Sequence, residues 1–210
     1  MSNINLYRHA LSGHAHRAEL MLSLLGVEAN IIDVDLMSGA HKTPEFLQKN
    51  RFGQVPVLED DGVTVADSNA ILVYLATRYD LERIWLPMDA AEAADVQRFL
   101  SVAAGPVASG PAAARLVNVF GAGLDHQKAI DTAYALFDVL EAHLVGRTWL
   151  ATDHATIADV ANYAYIAHAP EGDISLENYP NIRTWLGRIE TLPGFVAMQA
   201  TQAGLNQEVV

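Results

Sequence analysis

Cysteine is absent from the 210-residue sequence, which excludes disulfides, a cysteine nucleophile and thiolate metal sites. Histidine motifs for zinc are missing too. His14 and His16 lie two positions apart and no His-Glu-x-x-His pattern occurs, so we predict no metal site. Neither the Gly-x-x-x-x-Gly-Lys phosphate loop nor the Gly-x-Ser-x-Gly elbow of serine hydrolases is present. Any chemistry must therefore come from other residues.

Basic residues are few. The 13 Lys and Arg against 25 Asp and Glu give a formal net charge of −12, which argues against nucleic acid or an anionic membrane as a partner. No apolar run approaches the roughly 20 residues of a membrane span, and residues 1–5 lack the basic and apolar regions of a signal peptide. We expect a cytoplasmic protein with one large or two small domains and no membrane partner.

The first 80 residues alternate between strand and helix patterns. Runs of alternating or β-branched residues, a turn signal at Asp60-Asp61-Gly62, and stretches with apolar residues at i,i+4 mark the elements. The predicted strands are residues 4–7, 31–34, 55–58 and 63–65, and the predicted helices are 12–25, 44–49 and 68–79. This order, βαβ, a short helix and then ββα, is that of a thioredoxin-like domain whose first two strands are parallel.

Beyond residue 80 the patterns are helical, after a linker at residues 86–89. Gly105 and Pro111 predict a bend in the first long helix, although this Gly/Pro/Ala run also fits a flexible linker. The predicted helices are 90–120, 126–144, 156–167 with a capping box at Thr156 and Asp159, 178–191, and a short one from Pro193. The fold class is α/β plus all-α: a thioredoxin-like domain at 1–80, then an all-helical domain at 88–210.

One stretch, residues 53–68, carries the clearest functional signal. Pro56 lacks a backbone N–H and fits the start of a strand, where a cis Val55-Pro56 bond is tolerated. That bond would turn the N–H and C=O of Val55 toward a peptide ligand. Asp67 and Ser68 open a helix, whose N-terminus attracts an anion. Together these features predict a site for a small acidic peptide; an edge strand, a hairpin and an ordinary N-cap are the alternative interpretation.

The pattern Gln54-Val55-Pro56 followed by Asp67-Ser68 resembles the glutathione-binding half of the soluble glutathione transferases. The resemblance extends over nearly the whole chain, because the Thr156 cap and the run from Tyr179 to Trp185 also look like landmarks of that family. Arg51 departs from it, since many members have proline there. The resemblance implies a thioredoxin-like fold, glutathione as cosubstrate and a homodimer in which Phe52 is a candidate contact. Burial of Phe52 under its own loop is the alternative.

For catalysis the resemblance implies Ser12, at the turn between the first strand and the first helix. By itself, a serine there is a good N-cap. In a glutathione transferase its hydroxyl would also hydrogen-bond the sulfur of glutathione and, with the helix N-terminus, lower a thiol pKa that is ordinarily about 8.5. Tyr7 is the rival, because other classes use a tyrosine near the end of the first strand. We favour Ser12, since Tyr7 alternates with Leu6 as a packed strand residue would.

Further site residues follow from the same resemblance. Residues predicted to bind glutathione are His41 and Lys42 for its glycine carboxylate, Val55 and Pro56 for its backbone, and Gln54, Asp67 and Ser68 for its γ-glutamyl end. Small residues of the helical half would leave room for the electrophile, although close helix packing would also explain their size. The predicted electrophile pocket comprises Gly105, Val107, Ala108, Pro111 and Arg115.

These features predict an enzyme, a glutathione transferase that conjugates glutathione to small hydrophobic electrophiles. Two other functions remain open. One is another glutathione-dependent reaction, such as isomerisation, dehalogenation or ether cleavage; Ser12-Gly13-His14 stands where isomerases usually have Ser-Ser-Cys. The other is a non-catalytic carrier or interaction protein on the same scaffold.

Overall fold

The computed structural model describes residues 4–207. Residues 1–3 and 208–210, at the outer ends of the two predicted domains, lie outside the described part. Within it, one sheet contains four strands in the order β2-β1-β3-β4, with β2 parallel to β1 and the other two pairs antiparallel. The strands are Ile4–Arg8 (β1), Asn30–Asp33 (β2), Val57–Asp60 (β3) and Val63–Ala66 (β4).

Eight α-helices occur between residues 4 and 207, and three of them belong to the sheet half. They are Gly13–Leu24 (α1), Pro44–Lys49 (α2), Ser68–Tyr79 (α3), Ala90–Ala104 (α4), Ala113–Phe120 (α5), His126–His143 (α6), Ile157–Ala167 (α7) and Pro180–Glu190 (α8). The thioredoxin-like order of the first half and the helical second half are confirmed. None of the helices in residues 4–207 combines the length and apolar character needed to cross a bilayer.

The sheet is covered on both faces, and its side chains alternate accordingly. Leu6 lies opposite Leu58 in the β1–β3 register, and both are fully buried against α1 and α3. Val57 and Phe46 belong to a smaller cluster on the opposite face, under α2, where Tyr7 also packs. The alternation in β1 therefore directs Tyr7 away from the face that carries α1.

Helix α7 forms the centre of the helical half, because almost all of its residues are buried. It packs against α4 on one side and α1 on the other, which joins the two halves. The predicted capping box is confirmed: the Asp159 carboxylate accepts from the Thr156 N–H at 2.9 Å. The same carboxylate also accepts from the Leu150 N–H and from Trp185 Nε1, which ties α7 to its neighbours.

The bend predicted in the first long helix is confirmed. Helix α4 ends at Gly105, a π-helical turn spans Ala108–Ala112 with Pro111 inside it, and α5 continues from Ala113. The short helix predicted from Pro193 is wrong: Gly194 has φ +86° and lies against the Ser23 carbonyl, where a side chain would clash, and residues 195–201 are not helical.

Candidate active site

A cavity of about 870 Å³ opens between the sheet half and the helical half. Ser12 and all of the residues predicted to bind glutathione lie on its wall, although they come from four separate parts of the chain. They are Ser12, His41, Lys42, Gln54, Val55, Pro56, Asp67 and Ser68. The structure therefore brings this predicted set together in one place.

Ser12 is the N-cap of α1, and its Oγ accepts from the Ala15 N–H at 3.2 Å. This bond uses one acceptor position and leaves the hydroxyl hydrogen free to donate into the cavity. Tyr7 points elsewhere: its hydroxyl donates to Glu59 at 2.9 Å and its ring packs edge-on against Phe46. Of the two rival hydroxyls, only Ser12 lies on the cavity wall.

The Val55-Pro56 peptide bond is cis. Neither the N–H nor the C=O of Val55 has a hydrogen-bond partner within residues 4–207, so both are available to the backbone of a peptide. Asn50 fixes the preceding loop, because its Nδ2 donates to the Gln54 carbonyl at 2.9 Å. The Gln54 side chain stays exposed at the mouth of the cavity.

Asp67 is the N-cap of α3 and adopts a positive φ of +81°. Its Oδ1 accepts from the Ala70 N–H at 2.9 Å, while the exposed carboxylate still has capacity to accept from a ligand. Ser68, the first residue of α3, is buried and lies at the helix N-terminus, where N–H groups and the helix dipole favour an anion.

Behind Ser68 lies a polar pair from α1, the half-buried His14 and the buried Arg17. Nη1 of Arg17 donates to His14 Nδ1 at 2.9 Å and to Ser68 Oγ at 3.1 Å. Arg17 is 1% exposed, its guanidinium stands over the Tyr165 ring, and its Nε and Nη2 have no hydrogen-bond partner among residues 4–207. Burial lowers the pKa of Arg17 to about 10, so the side chain stays charged at neutral pH.

The His14 ring lines the cavity and meets the Tyr165 ring edge-on. Burial, and then the charge of Arg17, lower the pKa of His14 to about 3, so the imidazole is neutral at neutral pH. From the sequence His14 was a possible local donor, and we favoured a solvated helix-end histidine; the structure places the ring against Arg17 and Tyr165 instead. The spacing of His14 and Arg17, three apart on one helix face, is the signal that would have paired them.

His41 and Lys42 form a short 3₁₀ turn beside the cavity. The Lys42 ammonium donates to the carbonyls of Phe52 and Gly53 at 3.1 and 2.8 Å, so it holds the loop that leads to Gln54. Partial burial and the charge of Lys42 lower the pKa of His41. Gly53 has φ +57°, and a Cβ there would lie 2.8 Å from the Lys42 ammonium, which explains why glycine occupies this position.

The helical wall of the cavity differs from the predicted electrophile pocket. Only Arg115 of the five predicted residues lines the cavity; Gly105, Val107, Ala108 and Pro111 do not. Close helix packing, the alternative explanation for these small residues, accounts for the difference. The π-helical turn at Ala108–Ala112 packs closely against α6, where a Cβ on Gly110 would lie 3.0 Å from the Ala133 backbone nitrogen. The helical residues on the wall are Arg115, Leu116, Phe120 and Tyr165.

Leu116 and Phe120 were not predicted to line the site, although their spacing of four places them on one face of α5. The rest of this apolar end of the cavity comes from the loop after β1, where Leu11 lines the wall and the His9 ring meets the Phe120 ring edge-on at 5.9 Å. Thus a polar end, beside α3, and an apolar end, beside α5, meet at Ser12.

Two family models match the chain: the glutathione S-transferase N-terminal domain over residues 2–77 and the glutathione S-transferase C-terminal domain over residues 124–193. This chain belongs to the glutathione S-transferase family. As in the transferases generally, glutathione is the cosubstrate, and the chain is an enzyme of the transferase class.

Individual glutathione transferases support the assignment over the full length. Glutathione S-transferase 3 of Zea mays is 33% identical over 206 residues, which cover 93% of this chain and 92% of that protein. The crystal structure of a glutathione S-transferase from Pseudomonas fluorescens is 32% identical, with a TM-score of 0.88 over 95% of this chain and 100% of that one. A glutathione transferase homologue from Drosophila mojavensis, solved with bound glutathione, is 28% identical with a TM-score of 0.83, over 92% and 90% of the two chains.

Proposed function

We propose that this transferase activates glutathione with Ser12 and transfers its sulfur to a small hydrophobic electrophile. The observation that carries the proposal is the position of Ser12. It caps α1 at the point where the polar and apolar ends of the cavity meet, and its hydroxyl hydrogen is free to donate. A donor and a helix N-terminus both favour a thiolate over a thiol.

The chemistry requires no nucleophile from the protein. The glutathione thiol gives its proton to solvent water, and the thiolate keeps the hydrogen bond from Ser12. Its sulfur attacks the electrophilic carbon and forms the new C–S bond. In a substitution a leaving group departs with its electron pair; in an addition the π electrons move to the neighbouring atom, which takes up a proton from solvent water. The protein contributes orientation and electrostatic stabilisation of the anionic sulfur.

Each end of glutathione has a group of matching charge or hydrogen-bonding capacity. Asp67 accepts from the γ-glutamyl ammonium, Ser68 donates to its carboxylate, and Gln54 contacts the same end. The N–H and C=O of Val55 pair with the cysteinyl backbone beside Pro56. The glycine carboxylate lies toward His41 and Lys42. Support comes from the unpartnered backbone groups of Val55 and the exposed carboxylate of Asp67.

The electrophile binds against Leu11, Leu116 and Phe120. Their apolar surfaces favour a small hydrophobic compound, since burying such a compound removes apolar area from water. In domain terms, residues 1–80 bind glutathione, and residues 88–210 carry the other wall of the electrophile site.

The assembly we propose is a cytoplasmic homodimer. Phe52 supports it, because this residue is 81% exposed on the loop that Lys42 holds in place. Large exposed aromatic side chains of this kind favour a protein interface.

The proposal is tested with two matched hydroxyl deletions. We expect Ser12→Ala to lower kcat toward an activated haloaromatic by at least about tenfold while binding to immobilised glutathione is largely kept. Tyr7→Phe, which removes a hydroxyl outside the cavity, should leave kcat unchanged. An inactive Tyr7→Phe with an active Ser12→Ala would refute the role of Ser12. A wild type that binds glutathione but reacts with no electrophile in a broad screen would indicate a carrier.

A further inference from the structure

Two hydrogen bonds from Arg17 determine which atoms of His14 and Ser68 can donate to a ligand in the cavity. Arg17 donates to His14 Nδ1 at 2.9 Å, and a guanidinium has no acceptor. Nδ1 must therefore be the unprotonated ring nitrogen of the neutral imidazole, which puts the ring proton on Nε2. Because Nδ1 is turned toward Arg17 and Ser68, Nε2 is the nitrogen left for the cavity that the ring lines.

Arg17 also determines where the hydroxyl hydrogen of Ser68 can point. The Ser68 Oγ accepts from Arg17 at 3.1 Å and lies 3.3 Å from His14 Nδ1. The ring nitrogen has a single lone pair, and Arg17 occupies it at the shorter distance, so the Ser68 hydroxyl hydrogen is free to point outward. Arg17 thus supports two neighbouring donors, the Ser68 O–H and the His14 Nε2–H, that are directed toward the cavity.

The Asp67 carboxylate acts on the charge of Arg17 but lies beyond ion-pair distance. The guanidinium is 1% exposed, forms no ion pair within residues 4–207, and has two nitrogens without partners. Burying a cation in this way is unfavourable unless an anion compensates it. A carboxylate bound by Ser68 and His14 would be a second anion beside Asp67, connected to Arg17 through the hydrogen bonds that Arg17 donates to these two side chains.

We propose that His14 is a glutathione-binding residue: its Nε2–H donates to the γ-glutamyl carboxylate beside Ser68, and Arg17 is the positioning residue that sets its tautomer. The inference rests on the proposed placement of the γ-glutamyl end at Asp67 and Ser68. It assigns the carboxylate two side-chain donors and a buried cation behind them. The competing role for His14 is packing against Tyr165 and acceptance of the Arg17 bond alone.

Two substitutions separate these roles. His14→Asn keeps an acceptor where Nδ1 was and loses the donor that faces the cavity, whereas His14→Gln keeps a donor near the Nε2 position and loses the acceptor. We expect His14→Asn to raise the Kd for glutathione by at least about tenfold, and His14→Gln to stay within a factor of about three of the wild type. The reverse order would overturn the proposal, because it would assign the ring only the acceptor role.

A ligand without the carboxylate localises the effect. In 4-aminobutanoyl-cysteinylglycine the γ-glutamyl carboxylate is missing and the amine and thiol are kept. His14→Asn should bind this analogue as well as the wild type does, as measured by calorimetry. An equal loss for glutathione and the analogue would overturn the assignment to the carboxylate. A wild type that binds glutathione no better than the analogue would overturn the placement of the γ-glutamyl end, and with it this inference.

A measurement on the wild-type protein does not depend on the folding of either variant. Nitrogen-15 spectra should show His14 with Nδ1 unprotonated and Nε2 protonated, and the Nε2 signal should move when glutathione is added but not when the analogue is added. A proton on Nδ1, or an Nε2 signal that glutathione leaves unchanged, would overturn the proposal.

Discussion

Arg115, in α5, donates a 2.7 Å hydrogen bond from Nη1 to the carbonyl oxygen of Leu11, the residue before Ser12. Its Nε donates at the same distance to Glu171, and both side chains of this ion pair are buried. Glu171 also accepts from His168 and from Thr201. A network in the helical half therefore positions the loop that carries the proposed catalytic hydroxyl, more than 100 residues away along the chain.

The stability of this network should depend on pH. Burial alone raises the pKa of Glu171, but hydrogen bonds from His168 and Thr201 and the charge of Arg115 outweigh it and lower the pKa from 4.5 to about 2. A carboxyl with a depressed folded-state pKa stabilises the fold above its unfolded-state pKa and loses this contribution as the pH falls through the folded-state value. The protein should therefore lose the stabilising contribution of Glu171 as the pH falls from 4.5 to about 2.

We expect Glu171→Gln to be clearly less stable than the wild type above pH 4.5, because the charge that compensates Arg115 is gone. This difference in stability should close as the pH falls from 4.5 toward 2, where the wild-type carboxyl also becomes neutral. Urea unfolding from pH 2 to 7 measures it. Glu177→Gln, at an exposed acid nearby, is the control and should show a small, flat difference. A stability difference between Glu171→Gln and the wild type that does not shrink between pH 4.5 and 2 would contradict the lowered pKa of Glu171.

The charge of Asp67 can be tested apart from its capping role. Asparagine caps a helix about as well as aspartate and tolerates the positive φ found here, so Asp67→Asn should change the melting temperature little. The lost charge should raise the Kd for glutathione by about tenfold or more, since a hydrogen bond to a charged group contributes about 1.5–3 kcal/mol. Calorimetry with glutathione and with S-hexylglutathione, which has no free thiol, measures the effect.

Asp61→Asn is the matched control for this experiment. Asp61 is exposed and also has a positive φ, of 46°, but it lies in the turn between β3 and β4, outside the cavity wall. Its substitution removes the same charge from the protein and should leave the Kd unchanged. Similar losses in both variants would point to the overall field of the protein instead of a contact at Asp67.

Much of the fold was predictable because its signals are local. Helix α2 spans the predicted residues 44–49, because Thr43 caps it and Pro44 fits its first turn. Helix α3 likewise begins after Asp67 and ends where predicted. The predicted binding residues between Gln54 and Ser68 could be recognised for the same reason: Pro56, just before β3, and the N-cap Asp67 lie eleven positions apart.

The rest of the site depends on contacts between distant parts of the chain. Arg17 meets Ser68 across 51 positions, and Arg115 meets Leu11 across 104. No local pattern shows whether residues 105–111, before α5, line the cavity or pack against another helix, because small residues suit a binding pocket and a close helix contact equally well. Packing against α6 decided between them, and that depends on where α6 lies in three dimensions.

Phe52 tests the proposed homodimer. Phe52 is 81% exposed and leaves apolar area in water, so burying it against a second subunit would stabilise a dimer. A carboxylate buried at the same position without a compensating charge would destabilise the dimer. We expect Phe52→Asp to halve the mass measured by light scattering at low micromolar concentration. Val145→Asp, at a 69% exposed residue after α6, places the same charge on another surface and should leave the mass unchanged. A specific interface responds to an added charge only where the two subunits touch. Phe52 would therefore not be the contact if Phe52→Asp kept the wild-type mass, or if Val145→Asp lowered the mass equally.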